Sequence, residues 1–188
     1  AWVANVPNVL VVNPAVPAAS LKELVALAKA KPGQLNYGSG GNGSAAHLAT
    51  EYLKLRTGTS MVHVPYRGTA PAVVDLLAGQ IQLMSTGGPA VLPMVKAGKL
   101  RALAVSSARR LDASPELPTV AESGYEGFEA DQWYGVVAPA GTPRDVVLKL
   151  NAEINKALAS DALKSRLQGE GALAMPSSPE AFGELIAR

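Results

Sequence analysis

Leu35-Asn36-Tyr37-Gly38-Ser39-Gly40-Gly41-Asn42-Gly43-Ser44, running on into Ala45-Ala46-His47-Leu48-Ala49-Thr50-Glu51-Tyr52-Leu53, decides the fold of this chain. It reads as a short strand, a glycine-rich loop and the start of a helix. Glycine has no Cβ, so such a loop lets a ligand come close to the backbone. The first N–H groups of the following helix lack intrahelical partners and lie at its positive dipole end. Together these elements make a cradle for a carboxylate or a phosphate.

The same grammar recurs on either side. Val9-Leu10-Val11-Val12 is an apolar run stopped by Asn13-Pro14, which predicts a buried strand. Ser20, with Glu23 three residues on, predicts a capping box for a helix over Leu21 to Ala30. Met61 to Tyr66 predicts a strand, and Arg67-Gly68-Thr69 a second glycine turn with Thr69 as N-cap and Pro71 in the first helical turn. Ile81 to Met84 predicts a strand. Ser85-Thr86-Gly87-Gly88-Pro89 then reads as a third small-residue loop before a helix over Ala90 to Lys96, and Leu100 to Val105 as a further strand. Four β-loop-α units imply a mostly parallel α/β sheet covered by helices. Ligands of such sheets bind at the carboxyl ends of the strands, where all three glycine loops fall.

After Val105 the style changes. Ser106 to Glu129 is polar and turn-rich. Gln132 to Pro139 predicts a strand, Thr142-Pro143 a helix start with Thr142 as N-cap, and Val146 to Leu158 an amphipathic helix. Asp161 to Gln168 and Pro179 to Ala187 predict two more helices. This stretch adds helices without a companion sheet, so it is expected to belong to a second domain whose strands lie outside it. Neither end reads as a natural boundary. The chain opens without an initiator Met or a signal peptide and closes in what reads as mid-helix.

Bulk composition narrows the function classes. Of 188 residues, 48% are hydrophobic and 17% charged, which fits a well-packed globular protein. The net charge of +2 comes without a Lys/Arg run, so nucleic-acid binding gains no support. Cysteine is absent, which removes disulfides, thiol catalysis and thiolate metal sites. With only His47 and His63 as histidines, no metal site is expected. No apolar run approaches the roughly 20 residues of a membrane-spanning helix.

Gly38-x-Gly40-x-x-Gly43 fits the dinucleotide fingerprint, since it follows a strand and precedes a helix. The acidic residue expected about 20 positions on is lacking, and Arg67 stands there as a candidate for a 2′-phosphate. An NADP-binding oxidoreductase fragment is therefore the alternative reading, although no convincing catalytic set accompanies it. No Gly-Lys-Ser/Thr follows the loop, and no Gly-x-Ser-x-Gly elbow occurs. Ser39, Ser44, Thr69 and Thr86 offer hydroxyls either to a ligand or to their own turns. His47 either reaches the ligand or packs beside the loop, whereas His63, alternating with Val62 and Val64, reads as structural. Tyr66 is a pocket candidate, and Arg67 is either a counter-charge or an exposed turn residue. Glu51 and Asp75 read as solvated or paired, and Trp133 lines a cleft or fills a core.

Several of these stretches, taken together, resemble one family. They are Pro7-Asn8-Val9-Leu10-Val11-Val12-Asn13-Pro14, the loop Leu35 to Ser44 with His47-Leu48, and Val62-His63-Val64-Pro65-Tyr66-Arg67-Gly68. Gly98 to Val105, Leu117 to Glu122, Trp133-Tyr134-Gly135 and Ala138 to Pro143 complete the set. In this order they resemble the Bug/TctC solute-binding receptors of tripartite tricarboxylate transporters. The resemblance implies a type II-like periplasmic-binding-protein clamshell, a periplasmic location, a small organic acid as ligand, membrane transport subunits as partners, and no cofactor. It implies that residues 1–8 cross over from an incomplete first domain, that 9–135 form the second, and that 136–188 return to the first. By match, the ligand residues of the second domain are Ser39, Gly41, Asn42, Gly43, Ser44, His47, Tyr66, Arg67, Gly68, Thr86 and Gly87. One departure stands out. Where many members carry an aromatic and an acidic or amide residue, this chain has Ser85-Thr86-Gly87-Gly88, which implies a smaller, neutral pocket end. An effector-sensing domain of a regulator would share the clamshell but needs a DNA-binding helix-turn-helix. Strands left out of the first domain would expose apolar surface, so dimerisation or swapping of the isolated chain is expected.

Overall fold

The computed structural model describes residues 1–187. Strand β1 (Trp2–Val6) and strand β2 (Asn8–Val12) are separated by Pro7 alone yet belong to different sheets. All of β2 is buried, as a strand covered on both faces must be. Its period-2 alternation sends Leu10 and Val12 into one core and Val9 and Val11 into the other. Helix α1 (Leu21–Ala30) begins at Ser20, whose hydroxyl accepts the Glu23 N–H at 3.2 Å. The Glu23 carboxylate reaches back to the Ala19 N–H at 2.7 Å, one residue earlier than the ideal capping box.

Three strand-loop-helix units follow. β3 (Asn36–Ser39) leads into α2 (Ala45–Thr57), and β4 (Val62–Pro65) into α3 (Thr69–Leu77). β5 (Leu83–Gly87) leads into α4 (Gly88–Lys96), and β6 (Arg101–Val105) completes the sheet. The strand order is β4-β3-β5-β2-β6. β3, β4, β5 and β6 run one way, and β2 runs against both its neighbours. The loop after β2 therefore lies at the opposite pole from the three glycine loops. Leu21, Leu24, Tyr37 and Leu53 fill the core on one face; Ala72, Leu76 and Val91 fill the other.

The structure departs from the sequence reading in several places. Ser85, Thr86 and Gly87 are not loop but the end of β5, paired with Leu10, Val9 and Asn8. The β2 backbone supplies ladder partners, and those outweigh the loop-like composition. Gly68, not Thr69, caps α3, with φ at +113°. Pro143, not Thr142, precedes α5. The Thr142 hydroxyl instead donates to the Pro139 carbonyl at 2.8 Å.

The C-terminal stretch also has a sheet. β1 lies between β7 (Gln132–Gly135) and the two-residue β8 (Leu173–Ala174), antiparallel to both. Helices α5 (Arg144–Leu158), α6 (Asp161–Gly169) and α7 (Pro179–Ala187) accompany it. The strand nature of Trp2–Val6 escaped the sequence reading because Ala4-Asn5 interrupts its apolar pattern. Val136, Val137, Val146, Leu148, Leu150 and Ile186 remain exposed on this part. Among the described residues no helix is long and apolar enough to cross a membrane.

Candidate functional site

Because β3, β4 and β5 are parallel neighbours, the segments that follow them meet at one edge of the sheet. The β3–α2 loop lies directly on the β4–α3 loop. A Cβ on Gly40 would sit 3.5 Å from the backbone of Gly68 and Thr69, and one on Gly41 would sit 3.3 Å from the Tyr66 carbonyl oxygen. Gly41 also has φ at +123°, a conformation that side-chain-bearing residues rarely adopt. Asn42 and Gly43 are exposed at the loop tip.

Ser44 caps α2, its hydroxyl accepting the His47 N–H at 3.3 Å. Ala45 and Ala46 occupy the first two helical positions, and their N–H groups have no acceptor among the described residues. They are the orphan donors of a helix start, aimed out of the edge. Ser39 is fully buried beneath the loop. Its Oγ accepts the Gly41 N–H at 3.1 Å, donates to the Gly41 carbonyl at 3.0 Å, and lies 2.6 Å from His63 Nε2. His47 Nδ1 accepts the Gly43 N–H at 3.1 Å. Both histidines thus meet the loop, His47 at the Gly43 backbone and His63 at the Ser39 side chain, a structural contact for His63.

The other sequence candidates separate clearly. The Tyr66 hydroxyl donates to Asp75 Oδ2 at 2.7 Å, and burial, together with that bond and the Asp75 charge, pushes it up to about 12. Arg67 is an exposed turn residue. Thr86 and Gly87 are buried at the end of β5. Gly38-x-Gly40-x-x-Gly43 does not behave as a dinucleotide loop. There the third glycine permits close helix–strand packing, whereas a Cβ on Gly43 would meet nothing.

Two cavities open at this edge. One of about 400 Å³ is lined by Val6, Thr69, Thr86, Gly87, Gln132 and Tyr134, among others. The second, about 440 Å³, is lined by residues that include Gly43, Ala45, Leu48, Tyr52, Gln132 and Trp133. Among the described residues no Lys or Arg lines either one, and Asp131 lines the second. Gln132 is common to both, and its Nε2 occupies the space that a Cβ on Gly87 would need. Sequence reasoning missed Gln132, since its position follows only from pairing with Val6 where the chain crosses between the sheets. Trp133 borders the second cavity and meets Phe182 edge-on, with ring centroids 5.5 Å apart.

That crossing is held by a polar cluster. Asp131 accepts from Asn5 Nδ2 at 2.8 Å and from Ser106 Oγ at 2.7 Å. Ser106 Oγ accepts the Asn8 N–H at 2.8 Å, and Asn8 Nδ2 donates to the Ala130 carbonyl at 2.6 Å. Burial pushes the Asp131 carboxyl up, and its bonds to Ser106 and Asn5 offset this only in part. A carboxyl raised in the fold favours folding below its unfolded pKa, and that contribution fades as pH rises through the folded pKa. Urea titrations at about pH 5 and pH 7 should therefore show Asp131→Asn lacking part of the wild-type gain on acidification. Parallel pH slopes in the two proteins would show that Asp131 contributes no such gain.

A mixed α/β sheet with its glycine loops at one edge, joined by paired strands to a second sheet, is the architecture of the periplasmic-binding-protein fold. The chain belongs to the tripartite tricarboxylate transporter receptor family, TctC, whose family model matches residues 1–187. BugT of Bordetella pertussis is 42% identical over 98% of this chain and 57% of its own length. Among solved structures, R. palustris Rpa4515 with adipate shares 38% identity at a TM-score of 0.96, covering 99% of this chain and 62% of that one. MatC of Rhodopseudomonas palustris, with bound malate, shares 28% identity at a TM-score of 0.92, covering 99% and 65% respectively. The chain spans a little over half the length of BugT and under two thirds of the two structures.

Proposed function

We propose that this chain is the greater part of a non-enzymatic periplasmic receptor for a small organic carboxylate, which it delivers to the membrane subunits of a tripartite tricarboxylate transporter. The observation that carries the reading is the loop edge. The orphan amide of Ala45 borders one cavity and the Thr69 and Thr86 side chains border the other, and among the described residues no Lys or Arg lines either. An anion there is held by oriented dipoles and hydroxyls. The relatives bound to adipate and to malate support the same chemistry.

In this reading residues 9–135 form one lobe, and 1–8 with 136–188 belong to the other. Ser39 to Ser44, His47, Tyr66 to Gly68, Thr86 and Gly87 are this lobe's share of the site, with Gln132 at the base of the cleft. The exposed apolar side chains of Val137 and Leu150 are covered by the remaining length that the relatives carry. Closure of the lobes sandwiches the ligand, and the closed form is the one the membrane partner meets.

The test is a thermal-shift panel on the full-length protein with adipate, malate, citrate, aspartate, glutamate and NADP(H). Stabilisation of several degrees by one carboxylate, with none from NADP(H), is the expected result, since a ligand at about 100 times its Kd adds about 2.7 kcal/mol. A response to NADP(H) alone overturns the receptor reading.

A further inference from the structure

Beneath the glycine loop lies a column of three rings, of which the receptor reading uses only His47. Tyr37 of β3, His63 of β4 and His47 of α2 stack in that order. Their centroids are 4.9 Å and 4.1 Å apart, with interplanar angles of 20° and 16°. At its lower end the Tyr37 hydroxyl bonds the Glu51 carboxylate, which Lys54 also holds at 2.6 Å. The Lys54 ammonium lies 5.5 Å from the Tyr37 ring centroid. At its upper end each imidazole grips one side of the loop: His63 through Ser39, and His47 through the Gly43 N–H.

We propose that His47 and His63 are positioning residues that lock the glycine loop in its anion-presenting form, and that the lock requires His47 to be neutral. The proposal rests on the receptor reading for its ligand, though not for its geometry. The Gly43 N–H points at His47 Nδ1, so that nitrogen must carry a lone pair and the ring must bear its proton on Nε2. Protonation of Nδ1 sets two N–H groups against each other and releases Gly43. His63 tolerates either state, because its Nε2 can donate to Ser39 Oγ whether the ring is neutral or charged. A second charge is disfavoured at this ring spacing. Burial and the neighbouring His47 hold His63 below the usual imidazole range. The other charged or titratable groups facing the pair are Tyr37 from β3 and Glu51 and Lys54 from α2. The Ser39–Gly41 side of the loop therefore stays fixed while the Gly43 side is released by acid.

Two measurements on the full-length protein test this. Without ligand, long-range ¹H–¹⁵N NMR of the imidazoles should show His47 as the Nε2–H tautomer near neutral pH. The Gly43 amide should then shift with the same midpoint as the His47 ring on acidification. With adipate as probe, wild-type affinity should weaken about tenfold between about pH 7.5 and pH 5, the worth of roughly one hydrogen bond. His47→Asn places an acceptor that does not titrate near Gly43 and should bind with less than about twofold change over the same range. His47→Ala should bind weakly at both pH values. An Nδ1–H tautomer for His47, or the same pH profile in His47→Asn as in wild type, overturns the lock. If the NMR result holds and no carboxylate binds at any pH, the carboxylate reading fails and the lock stands.

Discussion

Tyr37→Ala should cost the full-length protein about 3–5 kcal/mol of stability, the range for removing a buried ring. Tyr37 is fully buried and sits among Leu21, Leu24, Leu53 and Leu83 in the core beneath α1 and α2. It also carries the imidazole column. Tyr37→Phe keeps the ring and should cost only about 1 kcal/mol, the net worth of the hydroxyl bond to Glu51. Its pH dependence separates the two effects. Burial raises the Glu51 carboxyl, but the Lys54 and Tyr37 bonds outweigh it and hold the group below the usual carboxylate range. A depressed carboxyl stabilises above its unfolded pKa, and that stability is lost as pH falls through the folded pKa. The wild-type advantage over Tyr37→Phe should thus shrink in acid. Urea unfolding checks both variants, and a Tyr37→Ala cost near that of Tyr37→Phe would mean the ring contributes little.

Gly135→Ala should be destabilising by about 1–3 kcal/mol, the usual cost of forcing atoms into a filled space. A Cβ there would overlap the Phe182 ring, with Cε1 and Cε2 each 2.7 Å away. Phe182 is the buried residue of α7 and meets Trp133 at 85°, so its ring cannot withdraw without lifting the helix. Since the cause is one overlap, it should vanish when the ring is removed. Gly135→Ala in a Phe182→Ala background should then cost well under 1 kcal/mol by a double-mutant cycle. Equal costs in the two backgrounds would point to the strand backbone instead.

Much of the architecture was legible because its signals are local. The Val9–Val12 run, the Ser20–Glu23 box, the Ser44 cap and the glycine loop each sit within a few residues, and repetition of one unit implied that the loops share an edge. What escaped depends on pairs far apart in the chain. Asn5 and Asp131 bond across 126 positions. Gln132 reaches Gly87 only because β1 and β7 pair. Ser85 to Gly87 entered a strand because an opposed β2 lay beside them, and no pattern within 81–90 announces that neighbour. The role of His63 was likewise hidden, since strand alternation says which way a side chain points but not which helix brings a second imidazole over it.

The pairing of Val6 with Gln132 has one more consequence. Everything from Asn8 to Asp131 leaves the three-stranded sheet and returns to it at adjacent points. That segment is topologically an insertion, and its two ends are neighbours. Once the segment is cut out at the crossing, joining its two ends with a short linker and opening the chain at another loop gives a circular permutant of it. All five strands of its sheet lie within those bounds. During synthesis, every strand of the sheet that bears the glycine loops therefore leaves the ribosome before α5, α6 and α7 do.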